Sequence, residues 1–346
     1  MRTDDAFSAP SEGRRPVDEA ALGRWRERVS QSVQPIWLHT EVGRRMGERL
    51  ALIKRPAQTA LIWDAGEAGH AGQVAGGRGD EIIQIWPQTR RIRVNHGPEL
   101  GIVALPQDVG WARRGWQAVR RLLRGAGGSP ARMPLPLPSC DVAQLPAACA
   151  DLLWSNMGLH LQLDPLATFQ AWHRALAVDG FVMFSTLGPG SLPELRSVYQ
   201  RQGWGSAMAP LVDMHDLGDM MVRAGWADPV VDQETLTLTW ASAADALAEL
   251  RGLGGNAAQD RFAGLRTPRW RQRLEAALLS QSQSQSQSQS QSQSHPDTRV
   301  ALTFEIIYGH AYKPMPKVRM AAHTAVAVED FKTLVRSPRS RSGSAP

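Results

Sequence analysis

The chain has 346 residues, 42% of them hydrophobic, which is room for one large α/β domain or two smaller ones, and its 39 Lys and Arg against 33 Asp and Glu leave a formal charge of +6. No run of about 18 apolar residues occurs and MRTDDAFSAPSEGRRP lacks the apolar stretch of a secretory signal, so a membrane span is not expected and the expected compartment is the cytoplasm. The two cysteines, Cys140 and Cys149, have no metal-ligand spacing, which argues against both a disulfide framework and a zinc site.

Residues 1 to about 20 are predicted to be a disordered leader, followed by a short helix over Leu22 to Val29. TEVGRRMGERLALIK, residues 40–54, puts Val42, Met46, Leu50 and Ile53 on one face at helical spacing, a basic amphipathic helix that packs on the domain. Pro56 ends it, and TALIWD reads as a first buried strand. Glycines 66, 69, 72, 76, 77 and 79 then crowd the place of a helix, each costing about 1 kcal/mol against alanine, so the helix is delayed to near Asp80. TRRIRVN, residues 89–95, is the second predicted strand, and prolines 134, 136 and 138 argue against a central strand ahead of SCD.

The second half alternates regularly. ADLLWSN (150–156) is a strand, DPLATFQAWHRALAVDG a helix and GFVMFST (180–186) a strand, with Asp179 and Gly180 making the turn. Helices follow in PGSLPELRSVYQRQ and DMHDLGDMMVRAG, then the strand LTLTW, the helix ADALAELRGLG and a long final strand, RVALTFEIIYGHAYK. Such a rhythm predicts a parallel sheet with helices on its faces. The Ser/Gln repeat at 280–294 has nothing to bury and is expected as an unfolded surface insertion, and residues 314–346 as a basic, partly disordered tail.

LIWDAGEAGHAG, residues 61–72, runs from apolar residues through Asp64 into glycine, as many nucleotide sites begin and as many flexible surface turns also read. DLLWSNMGLHL, AVDGFVMFSTLGPGSLPELR, VDMHDLGDMMVRAGWADPVVDQETLTLTW and FEIIYGHAYKP, within roughly residues 35–313, resemble the class I S-adenosylmethionine-dependent methyltransferases. More narrowly, they are similar to the malonyl-acyl-carrier-protein O-methyltransferases of biotin synthesis. The resemblance implies a Rossmann-like α/β domain over residues 21–313, its seven-stranded sheet parallel except for an antiparallel last strand, RVALTFEIIYGHAYK. It also implies S-adenosyl-L-methionine lying across the carboxyl ends of the strands.

On that resemblance Asp64 and Gly66 match the acid and first glycine of the cofactor loop, while Ala68 and His70 stand where further glycines are expected and Gly69 is displaced by one residue. Asn95 takes the place of the acid that receives the ribose hydroxyls, with one accepting oxygen and no charge. Asp141, followed by the usual Leu145 and Pro146, matches the acid that receives the adenine amino group, and a helix N-cap or turn role is equally open to it. Asn156 matches a position lining the cofactor cleft, with a simple turn role as its alternative.

Methyl transfer to a carboxylate moves no proton, so no catalytic acid or base is expected, only alignment and exclusion of water. A malonyl carboxylate calls for a cation, and Arg196 in SLPELR offers a two-pronged match unless it simply faces solvent from its helix. His215 in DMHD is a second substrate candidate, or the donor of a helix-start hydrogen bond. The tyrosine of the family's N-terminal segment is missing, and SVQPIWLH offers Trp37 instead. The acyl carrier protein is acidic, and Arg113, Arg114, Arg120, Arg121 and Arg124 form a cluster suited to docking it or to a solvated helix face. The expected protein is a monomer. A rival reading is a pseudo-methyltransferase that has lost cofactor binding through Ala68, His70 and Asn95; a third is nucleic-acid binding through the arginine cluster and tail.

Overall fold

The computed structural model describes residues 13–30, 37–63, 79–95, 139–141, 145–289 and 299–316. The described residues up to Pro314 belong to one compact unit. Helices α1 (Glu19–Ser30) and α2 (Trp37–Leu50) precede β1 (Thr59–Trp63), α3 (Asp80–Ile85), β2 (Arg90–Asn95), β3 (Ser139–Asp141) and β4 (Ala150–Ser155). Then come α4 (Pro165–Ala175), β5 (Leu176–Leu187), α5 (Pro193–Gln202), α6 (Met214–Arg223), β6 (Ala227–Trp240), α7 (Ala243–Gly252), α8 (Pro268–Gln289) and β7 (Val300–Tyr312).

The seven strands form one sheet in the order β3-β2-β1-β4-β5-β7-β6. All pairs from β3 to β5 are parallel, whereas β7 runs antiparallel to both β5 and β6. This is the predicted sheet, six strands in one direction and the last reversed. The proline-preceded β3 is an edge strand, which is where such a segment can be accommodated.

Strands covered on both faces read as nearly continuous apolar runs. On one face Leu38, Val42, Met46 and Leu50 of α2 are buried with Ile62, Leu152 and Trp154, while Ile53 lies past the helix end. On the other, Trp172 of α4 meets Trp63 at 5.7 Å and Phe169 at 5.5 Å, and Phe169 meets Phe184 at 5.4 Å. Asp164 caps α4 by accepting the Ala167 N–H at 2.9 Å, with Pro165 preset for the first turn. The helix expected to reach Gly180 ends at Ala175, and Asp179 and Gly180, expected as the turn before the strand, lie within β5: Asp179 has φ 61°, and a methyl carbon on Gly180 would lie 2.9 Å from the Ala177 carbonyl and 3.0 Å from that of Asp151.

Two further segments differ from expectation. The leader was expected to be disordered to about residue 20, yet residues 13–18 pack on the domain: Val17 is buried and bridges Ala258, and the Asp18 N–H reaches the Ala257 carbonyl at 2.8 Å. The Arg15 guanidinium holds the segment by donating to the carbonyls of His160, Gln162 (3.3 Å) and Pro210 (2.7 Å). The Ser/Gln insertion was expected to be unfolded, but α8 continues into it to Gln289. Leu274, Leu278 and Ser282 extend one buried stripe, and Ser282 Oγ accepts the Ala301 N–H at 3.1 Å. Among the described residues no helix is long and apolar enough to cross a membrane.

Candidate active site

Parallel strands bring their carboxyl ends to one edge, where open α/β sheets bind ligands. Here that edge carries Trp63, Asn95, Asp141 and Ser155, and Asn95 and Asp141 stand opposite each other in register. Two residues 46 positions apart in sequence are thus made neighbours by β2–β3 pairing alone. Asp64, Gly66, Gly69, Ala68 and His70 lie outside the described residues, as do the arginines from 113 to 124.

Asn156 directly follows β4, is 6% exposed, and has its amide bonded on both sides. Its Nδ2 donates to the His39 carbonyl at 2.8 Å, and its Oδ1 accepts from Ser185 Oγ at 3.0 Å. Ser185 Oγ in turn accepts the Met157 N–H at 2.9 Å. The predicted cleft residue therefore joins α2, β4 and β5 and fixes the wall at the end of the central strand.

Glu81, which no motif in the sequence marks, belongs to the same cluster. It sits in the first turn of α3, packed so closely on α2 that a methyl carbon at Gly43 would lie 2.7 Å from its Oε1 and 3.0 Å from Asn156 Nδ2. Its Oε2 is buried with no hydrogen-bond partner among the described residues, and burial pushes the carboxyl up from its ordinary value. Nearby, burial lowers His39 to about 4, and His160 to about 3 with the charges of His39 and Arg15 adding to burial. Both imidazoles are neutral at pH 7.

Arg196, on α5 beyond the carboxyl end of β5, is exposed and lines a groove of about 470 Å³ with Pro16, Ser206, Met208, Leu211 and Asp260. His215 is elsewhere on the surface: its side chain is 80% exposed, and its backbone N–H and ring Nδ1 both meet Asp213 Oδ1, at 2.8 and 2.9 Å. The structure therefore brings Arg196 to a groove and gives His215 the helix-start bond.

The chain is 34% identical over 286 residues to the malonyl-acyl-carrier-protein O-methyltransferase of Gallionella capsiferriformans, covering 81% of this chain and 86% of that protein. The corresponding proteins of Laribacter hongkongensis and a Methylovorus species are 32% and 31% identical, with 82% and 88% of this chain and 84% and 92% of theirs aligned. No family model matches the chain.

Proposed function

The chain belongs to the malonyl-acyl-carrier-protein O-methyltransferase family, and from that premise we propose that it methylates the free carboxylate of a malonyl group on an acyl carrier protein, in biotin synthesis, using S-adenosyl-L-methionine. The structural observation behind this reading is the placement of Arg196 in a groove beyond the carboxyl end of β5, at the edge of the sheet where Asn95 and Asp141 pair in backbone register. The rival reading as a pseudo-methyltransferase is not favoured, because the similarity spans most of both chains in proteins named as methyltransferases.

The residues fit the cofactor on one observation: Glu81 Oε2 is a buried acceptor without a partner among the described residues, beside Asn156 at the end of β4, suited to a ligand rich in donors and positive charge. We assign its holding to Asp64, Gly66, Gly69, Asn95 and Asp141, with Asn156 bracing the wall. Bound there, S-adenosylmethionine supplies an activated methyl group. The malonyl carboxylate is already ionised at neutral pH, so the chain has no proton to move. Arg196 offers that carboxylate a forked pair of donors, and Met208 and Leu211 add apolar lining to the groove.

The test is incubation of the purified protein with malonyl-loaded carrier protein and methyl-labelled S-adenosylmethionine. Label should appear as a methyl ester on the malonyl group. Cofactor binding with no ester formed would refute the substrate assignment.

A further inference from the structure

We propose that the arginine surface around Trp204 and Trp270 is the docking site for an acidic carrier protein, oriented so that its tethered acyl group enters the groove lined by Arg196. The inference rests on the reading of the chain as a carrier-protein methyltransferase and adds the place at which the carrier is held.

The arginines of α2 are paired with carboxylates within the chain. On α2, Arg44 pairs with Glu41 (2.8 Å) and Glu48, Arg45 with Glu41 (2.8 Å) and Glu234, and Arg49 with Asp232 at 2.9 Å. The surface formed by α5, α8 and the loop before α8 is different. Arg266 lies 4.1 Å over Phe262 and 4.6 Å over Trp270 and donates to the Trp204 carbonyl at 3.3 Å. Arg273 donates to Gln202 Oε1 at 2.8 Å and stands 5.5 Å over Trp204, whose ring is 5.1 Å from Trp270. Arg269 is exposed one turn before Arg273.

Among the described residues none of these three arginines has a carboxylate partner, and neither has Arg196. The local acids are already engaged: Glu275 by Arg271 at 2.7 Å, Asp18 by Arg261, and Asp260 by Ser206, whose N–H and Oγ reach it at 3.1 and 2.8 Å. A partner completing this surface must bring its own carboxylates.

Two further features favour a protein over a nucleic acid. Leu265 is 96% exposed and Phe262 52%, so the patch offers apolar anchors beside its charges, the mixture of arginine, aromatic and aliphatic groups found at protein interfaces. It is also continuous with the groove: Ser206 and Asp260 line that groove, two residues from Trp204 and Phe262 respectively. A carrier seated on the arginines therefore has its acyl group beside Arg196.

The experiment is a binding titration with malonyl-loaded carrier protein, comparing wild type with the Arg269→Glu/Arg273→Glu double variant at low and high salt, alongside methylation of a small malonyl thioester lacking the protein. The expected result is at least a tenfold weaker Kd for the carrier, a shallower salt dependence, and unchanged KM and kcat for the small thioester. Arg269→Lys/Arg273→Lys should retain most of the binding. An unchanged Kd in the glutamate variant, an equal loss on the small thioester, or tighter binding to a DNA oligonucleotide than to the carrier would overturn the proposal. Wild-type turnover of the small thioester judges the methyltransferase reading separately, since the carrier Kd is measurable whether or not turnover occurs.

Discussion

Ser185 Oγ donates to Asn156 Oδ1 at 3.0 Å and accepts the Met157 N–H at 2.9 Å, so one buried hydroxyl ties the end of β4 to β5 at the edge assigned to the cofactor. Ser185 is 0% exposed, and no water can replace the hydroxyl without opening the packing. Ser185→Ala leaves a buried amide oxygen and a buried N–H each short of a partner. The expected cost is about 2 kcal/mol in denaturant unfolding, with weaker cofactor binding because the wall carrying Asn156 loosens. An unchanged unfolding midpoint would show that the clamp contributes nothing.

Glu81 makes opposite predictions for stability and for binding. Its carboxyl is raised by burial, so the folded state disfavours the charged form, and stability from this group is full below the ordinary glutamate value and lost as pH rises from there through the raised folded value. Glu81→Gln keeps the shape without the charge. The variant should melt at a higher temperature at pH 7 and bind S-adenosylhomocysteine roughly tenfold more weakly. Equal affinity in calorimetry would remove Glu81 from the cofactor cluster.

Two histidines, His160 buried and His39 half-buried, set an acid limit. His39 is lowered to about 4 and His160 to about 3, so between those values and the ordinary 6.5 the unfolded chain binds more protons than the folded one. Stability is therefore full above about pH 6.5 and falls as pH drops toward 4, a tenfold difference in proton affinity between folded and unfolded chain being worth about 1.4 kcal/mol. Because His160 lies 5.8 Å from the Trp25 ring beneath the Arg15 strap, acid should release the N-terminal segment early. Melting temperature against pH checks this, and His160→Gln should flatten the slope. A wild-type curve level from pH 7 to 4.5 would contradict the burial argument.

Local patterns made much of this fold legible. The spacing of Val42, Met46 and Leu50 predicts the buried face of α2, and Asp164 with Pro165 marks the start of α4 through capping chemistry that needs no distant partner. What stayed hidden depends on distant groups. Arg15 reads as part of a charged leader until carbonyls some 145 to 195 residues away enclose it. Ser282 reads as one unit of a polar repeat until it meets the first residues of β7. Glu81 has no sequence signature of burial, because the glycines that admit it lie on another helix, at Gly43 and Gly47. At the site, the neighbourhood of Asn95 and Asp141 follows from strand order, whereas the internal bonding of Asn156 required knowing where Ser185 and His39 fall.

Arg196 and His215 are both substrate candidates in the sequence, and their surroundings separate them. Arg196 lines the groove with its charge free of any carboxylate among the described residues, whereas His215 is exposed and bonded to its own helix cap. Arg196→Ala should raise KM for the malonyl substrate by about tenfold or more, the loss expected when a charge-assisted fork is removed. Arg196→Lys should recover only part of the binding, since an ammonium supplies the charge without the planar pair of donors. His215→Ala should alter KM by less than about twofold, its bonds to Asp213 being local to a solvated helix start worth well under 1 kcal/mol. Steady-state kinetics on the small malonyl thioester decides between them: an unaffected Arg196→Ala enzyme, or a His215→Ala enzyme with the larger defect, would move the carboxylate away from this groove.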